Sequence, residues 1–290
     1  MIGKVQSGSC VSCGSTESRQ PYLGDLERCP TCGHVAAADI PDDSALIALY
    51  DEGYFHGDEY FDYVADRRAA EANFRRNLRA LARYSGGGRL LDVGCAYGYF
   101  LNLAQSRWAV EGVDITEAGV SYAQKNLGLN ARLGDFIELD FAPSSFDVVC
   151  LWDTIEHLSK PDEYIARSAE LLRPRGILAL TTGDIGSKMA RRQGRSWRLI
   201  HPPTHVHYFT QCSIRRLLER HGFQVEEIRY EPQYRTVRMA MYGIVGLRFP
   251  RLRSLVNWAV RLPGMGIVFP LNLHDIMFVI ARRQPSSSNS

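Results

Sequence analysis

Several side-chain groups in this chain have types and spacings that could do chemistry. Two cysteine pairs, Cys10-Val-Ser-Cys13 and Cys29-Pro-Thr-Cys32, each precede a glycine, Gly14 and Gly33. Four thiolates at this spacing close a tetrahedral zinc site and leave no position open for catalysis. The expectation is structural zinc. A second group is carboxylates beside glycines. Asp92, Gly94 and Gly98 lie in Arg89-Leu-Leu-Asp-Val-Gly-Cys-Ala-Tyr-Gly-Tyr-Phe100, and Asp114 ends Val110-Glu-Gly-Val-Asp114. A glycine turn lets backbone N–H groups approach a ligand closely. A third group is histidine: Glu156-His157, then His201-Pro-Pro-Thr-His205-Val-His207. Imidazole titrates near neutral pH and suits general-base work.

The elements that must position these groups alternate. Strands are expected at 89–93, 110–114, 131–134, 146–152 and 177–182, with helices at 97–107, 118–126, 162–172 and 212–221. Alternating strand and helix signals predict a parallel sheet covered on both faces. Two further strands are expected at 223–230 and 276–282. A doubly wound sheet binds its ligand at the carboxyl ends of its strands, where Asp92 and Asp114 fall. Ahead of the sheet, residues 1–43 read as a small zinc-ribbon-like module. Residues 44–85 read as a mostly helical cover, with helical spacing through Ala69, Phe74, Leu78, Leu81 and Ala82. Residues 284–290 read as a disordered polar tail.

The glycine run is D-x-G-x-x-x-G, not the G-x-G-x-x-G that cradles a dinucleotide pyrophosphate. With Gly-Val-Asp-Ile115, Gly-Asp135-Phe136, Phe-Asp147 through Leu158 and Leu171-Leu-Arg-Pro-Arg-Gly-Ile-Leu178, it resembles the successive motifs of class I S-adenosylmethionine-dependent methyltransferases. The resemblance covers about residues 86–230 and the last strand. It implies an α/β, Rossmann-like sheet of seven strands and S-adenosylmethionine as cofactor. Position by position, Gly94, Cys95 and Gly98 would face the methionine moiety and Asp92 its amino group. Asp114 and Ile115 would take the ribose, Asp135 and Phe136 the adenine. Trp152 and Asp153 would lie beside the methionine and the acceptor.

The cofactor carries the hard chemistry of methyl transfer, and the protein aligns the nucleophile and excludes water. An oxygen nucleophile also needs a base, for which His205, His157 and His207 are the candidates. Asp153-x-x-Glu156-His157 also resembles the Glu-x-x-Glu-His pattern of quinone O-methyltransferases, whose groups can hold a divalent cation; capping of a helix start is the alternative. The aromatic run Tyr50, Tyr54, Phe55, Tyr60, Phe61 and Tyr63 resembles the N-terminal cover of this subgroup.

Residues 232–274 separate the last two strands and hold six arginines but no acidic residue before Asp275. Basic and apolar residues together suit an acceptor cover, a homodimer face, a peripheral membrane contact at an inner membrane surface, or an anionic or lipid-linked acceptor. The chain has 290 residues, is 45% hydrophobic and carries a formal net charge of +2, which does not by itself point to nucleic acid. No apolar run is long enough to span a bilayer, and the opening residues are polar, so a cytoplasmic protein with reduced thiols is expected. The favoured reading is methyl transfer to a small-molecule or glycan acceptor, at oxygen. An RNA methyltransferase docking its substrate through the zinc module is the alternative, although only Lys4, Arg19 and Arg28 precede Asp39 there.

Overall fold

The computed structural model describes residues 8–49, 64–241, 259, 262 and 264–285. Its centre is a seven-stranded sheet. The strands are β4 (Arg89–Val93), β5 (Ala109–Asp114), β6 (Ala131–Leu133), β7 (Phe146–Trp152), β8 (Leu172–Gly183), β10 (Phe223–Tyr230) and β13 (Ile276–Arg283). Their order is β10-β13-β8-β7-β4-β5-β6. The pairs among β4, β5, β6, β7 and β8 are parallel, and β13 runs antiparallel between β8 and β10. The α/β architecture and all seven strands match the sequence reading to within a few residues.

The central strands read as unbroken apolar runs because helices cover both faces. Successive side chains of β7 go to opposite layers: Val149 and Leu151 join one core with Leu91, Val93, Leu178 and Leu180, while Val148 and Cys150 join the other with Leu90, Ile177 and Ala179. Helices α3 (Tyr99–Ala104) and α4 (Glu117–Leu127) contribute to one layer. Helices α5 (Pro161–Leu171) and α7 (Gln211–Arg220) contribute to the other.

Before the sheet come β1 (Gln20–Tyr22), β2 (Leu26–Arg28), β3 (Val35–Ala37), α1 (Asp43–Ala48) and α2 (Arg67–Leu81). The aromatic run from Tyr50 to Tyr63 lies outside the described residues. Strand β3 pairs antiparallel with β9 (His207–Tyr208), so the cysteine module completes a four-stranded sheet with the segment that follows β8. Leu26, Val35 and Ala37 share a core with Ile185, Trp197, Ile200 and Tyr208. A ribbon this small buries little apolar surface alone; here it borrows a core from residues 185–208.

The described ends of the 232–274 segment form β11 (Gln233–Thr236), α8 (Val237–Met241) and β12 (Val268–Leu271), with β11 and β12 antiparallel. This arm is tied to α2. Asn73 Nδ2 donates to the Tyr234 carbonyl at 3.1 Å, and Tyr234 N–H donates to Asn73 Oδ1 at 2.8 Å. Thr236 Oγ1 donates to Asp66 Oδ1 at 2.8 Å. Of the six arginines on which the membrane-contact expectation rested, Arg248, Arg251, Arg253 and Arg261 lie outside the described residues, and Arg235 and Arg238 lie in β11 and α8. Among the described residues, no helix is long and apolar enough to cross a membrane.

Candidate active site

A cleft of about 290 Å³ opens at the carboxyl ends of β4, β5 and β7. That is near the lower end of the ~300–1,000 Å³ of small-molecule sites. Asp92, Gly94, Cys95, Asp114, Ile115, Asp135, Phe136, Trp152 and Asp153 all line it. Each sits at or just beyond a strand end, which is why residues so far apart in sequence meet.

Gly94 holds φ at 79°, and a Cβ built on it would lie 2.6 Å from Thr154 Oγ1. Only glycine lets β4 turn there with Thr154 packed against it. Asp114 is buried and fixes the loop after β4: Oδ2 accepts from Ala96 N–H at 2.7 Å, and Oδ1 accepts from Thr116 N–H at 2.8 Å and from the Thr116 hydroxyl. Burial pushes its carboxyl up, against the Thr116 bond. Asp92 is 2% exposed, and its Oδ1 finds no hydrogen-bond partner among the described residues. Burial, then the nearby Asp114, push its carboxyl well above the usual range. A buried carboxylate oxygen without a donor is costly, and a cationic ammonium group is the partner that would stabilise it. Asp135 Oδ1 accepts from Ile137 N–H at 2.9 Å and from Tyr164 O–H at 2.7 Å. These residues fit S-adenosylmethionine. Asp92 would meet its ammonium, Asp114 its ribose hydroxyls, and Asp135 with Phe136 its adenine; the bound cofactor supplies an electrophilic methyl on sulfur.

Gly98 differs from its sequence-based role. It does not line the cleft. It precedes α3 with φ 75°, and a Cβ there would lie 2.7 Å from Leu129 Cδ1 and 3.0 Å from Ala123 Cβ. Its task is to let α3 pack closely on α4. Cys95 lines the cleft, and its side chain packs in the core against Gly112.

The other end of the cleft is walled by Asn73, Arg76 and Asn77 from α2, and by Gln233, Tyr234 and Arg235 from β11, with Met239 from α8. Spacing could not show this wall, because its two sides are 161 positions apart where Asn73 meets Tyr234. Tyr164 and Thr116 were also missed. Tyr164's only signal is its place in the first turn of a helix begun by Pro161.

Of the three histidines named as candidate bases, only His157 lines the cleft. His205 is 6% exposed, and its Nδ1 bonds the Leu199 carbonyl at 2.9 Å. His207 is 1% exposed and bridges the Ser159 carbonyl at 3.3 Å and His34 at 3.0 Å. A carbonyl can only accept, so His207 Nε2 carries a proton and its Nδ1 accepts from His34 Nε2. His205 and His207 thus stand behind the cleft because buried imidazoles take the backbone carbonyls nearest them. Burial lowers His157, His201 and His207 to about 4 each, and His34 and His205 well below the usual value. Glu156, His157 and His205 each place a ligand atom within 4.8 Å of the others.

The four cysteines of the ribbon converge in the same sense. Their Sγ atoms all lie within 4.8 Å of one another, with Cys10–Cys32 at 3.6 Å and Cys13–Cys29 at 3.8 Å. Four sulfurs at ~2.3 Å around one zinc ion stand about 3.8 Å apart. Gly14 N–H donates to the Cys10 carbonyl at 2.7 Å, and Gly33 N–H to the Cys29 carbonyl at 3.0 Å, which makes two matching knuckles.

Comparison with known proteins decides the family. Residues 65–228, more than half of the chain, match the family described as "Methyltransferase domain". The chain belongs to the class I S-adenosylmethionine-dependent methyltransferases. Among its relatives is a protein of Mycolicibacterium smegmatis named as a probable S-adenosylmethionine-dependent methyltransferase, 31% identical over 54% of this chain and 62% of that protein. A ubiquinone biosynthesis O-methyltransferase of Cereibacter sphaeroides is 32% identical over 42% of this chain and 50% of its own length. The chain therefore spans about half to three-fifths of these curated relatives. A crystal structure of a methyltransferase from Archaeoglobus fulgidus superposes with a TM-score of 0.53 at 19% identity, covering 75% of this chain and 94% of that one. The [4+2]-cyclase SpnF superposes with a TM-score of 0.51 at 18% identity, covering 75% and 82%. These likenesses concern the fold. That a cyclase shares it means the reaction of this methyltransferase rests on family membership and on its site residues.

Proposed function

We propose that this methyltransferase transfers the methyl group of S-adenosylmethionine to an oxygen of a small-molecule or glycan acceptor that carries an anionic group. One observation carries the reading: the cleft lined by the carboxylates Asp92, Asp114 and Asp135 is lined as well by Gln233 and by two arginines, Arg235 and Arg76, the latter also held by Asn73, Asn77 and Glu231. Gln233 Nε2 is buried without a hydrogen-bond partner among the described residues. Such donors favour a ligand rich in oxygen, and guanidinium groups favour carboxylate or phosphate. The O-methyltransferase relatives support oxygen as the accepting atom. We further propose that Cys10, Cys13, Cys29 and Cys32 hold a structural Zn²⁺.

The test is a screen with methyl-labelled S-adenosylmethionine against hydroxylated aromatic acids, sugar phosphates, neutral phenols and bulk tRNA, after binding of the cofactor is shown by calorimetry. The expected product is a base-stable methyl ether on an acid-bearing small acceptor, with neutral phenols slower by tenfold or more. Label in tRNA, or equal rates for neutral and acidic acceptors, overturns the reading.

A further inference from the structure

Asp153 is the carboxylate at the junction of the two ends of the cleft. It directly follows β7, between Trp152 and Thr154, both of which line the cleft with it. Thr154 lies against Gly94 on the cofactor side. On the other side stand Arg76 of α2 and Arg235 of β11. The backbone at Asp153 is left-handed, with φ 51°, a conformation a non-glycine residue keeps only where its surroundings enforce it. The enforcement is visible: Asp153 N–H donates to both the hydroxyl and the carbonyl of Thr181 on β8, at 3.0 and 3.2 Å. This turn presents the side chain to the cleft, where it is open to the space a ligand would fill.

The other lining carboxylates have different commitments. Asp114 and Asp135 accept from backbone N–H groups and hydroxyls. Asp66 accepts from Thr236 and helps anchor the arm. Asp92 is buried beneath the cofactor end. His157 also lines the cleft, but its Nδ1 bonds the Thr204 carbonyl, its ring packs edge-on with His205 at 4.5 Å between ring centres, and burial lowers it to about 4.

We propose that Asp153 is the general base of this methyltransferase and serves the acceptor rather than the cofactor. This rests on the oxygen-acceptor reading above. The acceptor O–H gives its proton to an Asp153 carboxylate oxygen as the acceptor oxygen forms its bond to the methyl carbon. The C–S bond breaks, its electron pair stays on sulfur, and the sulfonium becomes a neutral thioether. The proton then leaves Asp153 to water as product departs. The charged groups facing Asp153 are Arg235 from β11, Arg76 from α2 and Arg198 from the segment after α6 (Lys188–Gln193). Its place deep in the cleft, surrounded by protein, pushes the carboxyl up, while Thr181 and these guanidinium groups draw it back. A raised carboxylate is a stronger base than an ordinary one.

The experiment compares wild type with Asp153→Asn, Asp153→Glu and Asp92→Asn, first by calorimetry with S-adenosylmethionine alone. Asp153→Asn is expected to bind the cofactor within about threefold of wild type, and Asp92→Asn more than tenfold more weakly. The second measurement is methyl transfer to 3,4-dihydroxybenzoate, or to the best acceptor of the screen, as a function of pH. Asp153→Asn is expected to lose a factor of ~10²–10⁴ in kcat, the usual range for a general base, together with the acid limb of the kcat profile. Asp153→Glu is expected to restore part of the rate with a shifted limb. A tenfold or greater loss of cofactor affinity in Asp153→Asn with its melting temperature unchanged, or a kcat and acid limb like wild type, overturns the proposal. Wild type that fails to bind the cofactor would instead overturn the functional reading, independently of Asp153.

Discussion

The two ends of the cleft are built by different means. The cofactor end is assembled from strand-end loops at 92–96, 114–116 and 134–136, each a short contiguous stretch. The proposed acceptor end is assembled from α2, β11 and the turn after β7, which meet only through tertiary contact. The parallel sheet dictates the first end, because its strands must end side by side. Nothing in the sheet dictates the second, which can vary while the first stays constant. Perturbations that separate the ends should therefore affect cofactor affinity and acceptor kinetics independently.

The largest expected effect comes from the ribbon. Replacing Cys13 by Ser removes one thiolate from the proposed zinc site, and structural zinc contributes on the order of 10 kcal/mol to small metal-dependent folds. The ribbon shares a core with Trp197, Ile200 and Tyr208. Its His34 reaches the cleft-lining Ser159 through His207. Cys13→Ser is expected to lose zinc by elemental analysis, lower the melting temperature by 10 °C or more, and raise the acceptor KM more than the cofactor Kd. Equal loss of both affinities would break the comparison of the two ends.

Next comes the turn at the cofactor end. Gly94→Ala must accommodate a Cβ 2.6 Å from Thr154 Oγ1 at φ 79°. Calorimetry should show cofactor binding weakened by a hundredfold or more, which equals about 2.7 kcal/mol. An Ala variant that binds within threefold of wild type would mean that the turn adapts.

How much of this was legible in the sequence follows the same division. The Cys-x2-Cys knuckles, the strand ends and the carboxylates Asp92, Asp114 and Asp135 are local patterns; the structure gathers the four cysteines and brings the three carboxylates to one cleft. Gly98 shows the limit of a motif: the same glycine spacing serves helix packing at one position and ligand approach at the other. The histidines show a different limit. His205 and His207 read as candidate bases in the sequence, yet burial and the carbonyls nearest them decide their roles. Neither property is encoded in spacing. Arg76, Asn73 and Gln233 carried no signal at all, because their partners are remote in the chain.

Acid sharpens the contrast between histidines and carboxylates. His157, His201 and His207 are lowered to about 4 in the folded protein, against about 6.5 in an unfolded chain. Between these values the unfolded chain binds more protons, so stability falls as pH drops from about 6.5 toward 4. Asp92 and Asp114 have the opposite sign. Their folded values are raised, so they take up protons before the unfolded chain does and offset part of that loss. Denaturant melts across pH 7 to 4 are expected to show falling stability, with a shallower fall for His207→Gln. Cofactor affinity should fall over the acid range as well, because Asp92 must be charged to hold an ammonium group. A pH-independent cofactor Kd would remove Asp92 from that role.

The smallest effect isolates the acceptor wall. Asn73 makes both bonds to the Tyr234 backbone, at 3.1 and 2.8 Å, across the contact between α2 and the arm. Asn73→Ala leaves a part-buried peptide N–H and carbonyl without those partners, at a cost of about 1–3 kcal/mol. Part of that cost is recovered if water enters. The arm carries Gln233 and Arg235, so loosening it should disturb the acceptor wall while Asp92, Asp114 and Asp135 stay in place. The expected result is a three- to tenfold rise in acceptor KM with cofactor Kd unchanged, and hydrogen exchange at Tyr234 faster than in wild type. Faster exchange with an unchanged acceptor KM would show that the arm closes the cleft without contacting what binds there, and Arg76 alone would then remain as the reader of the anionic group.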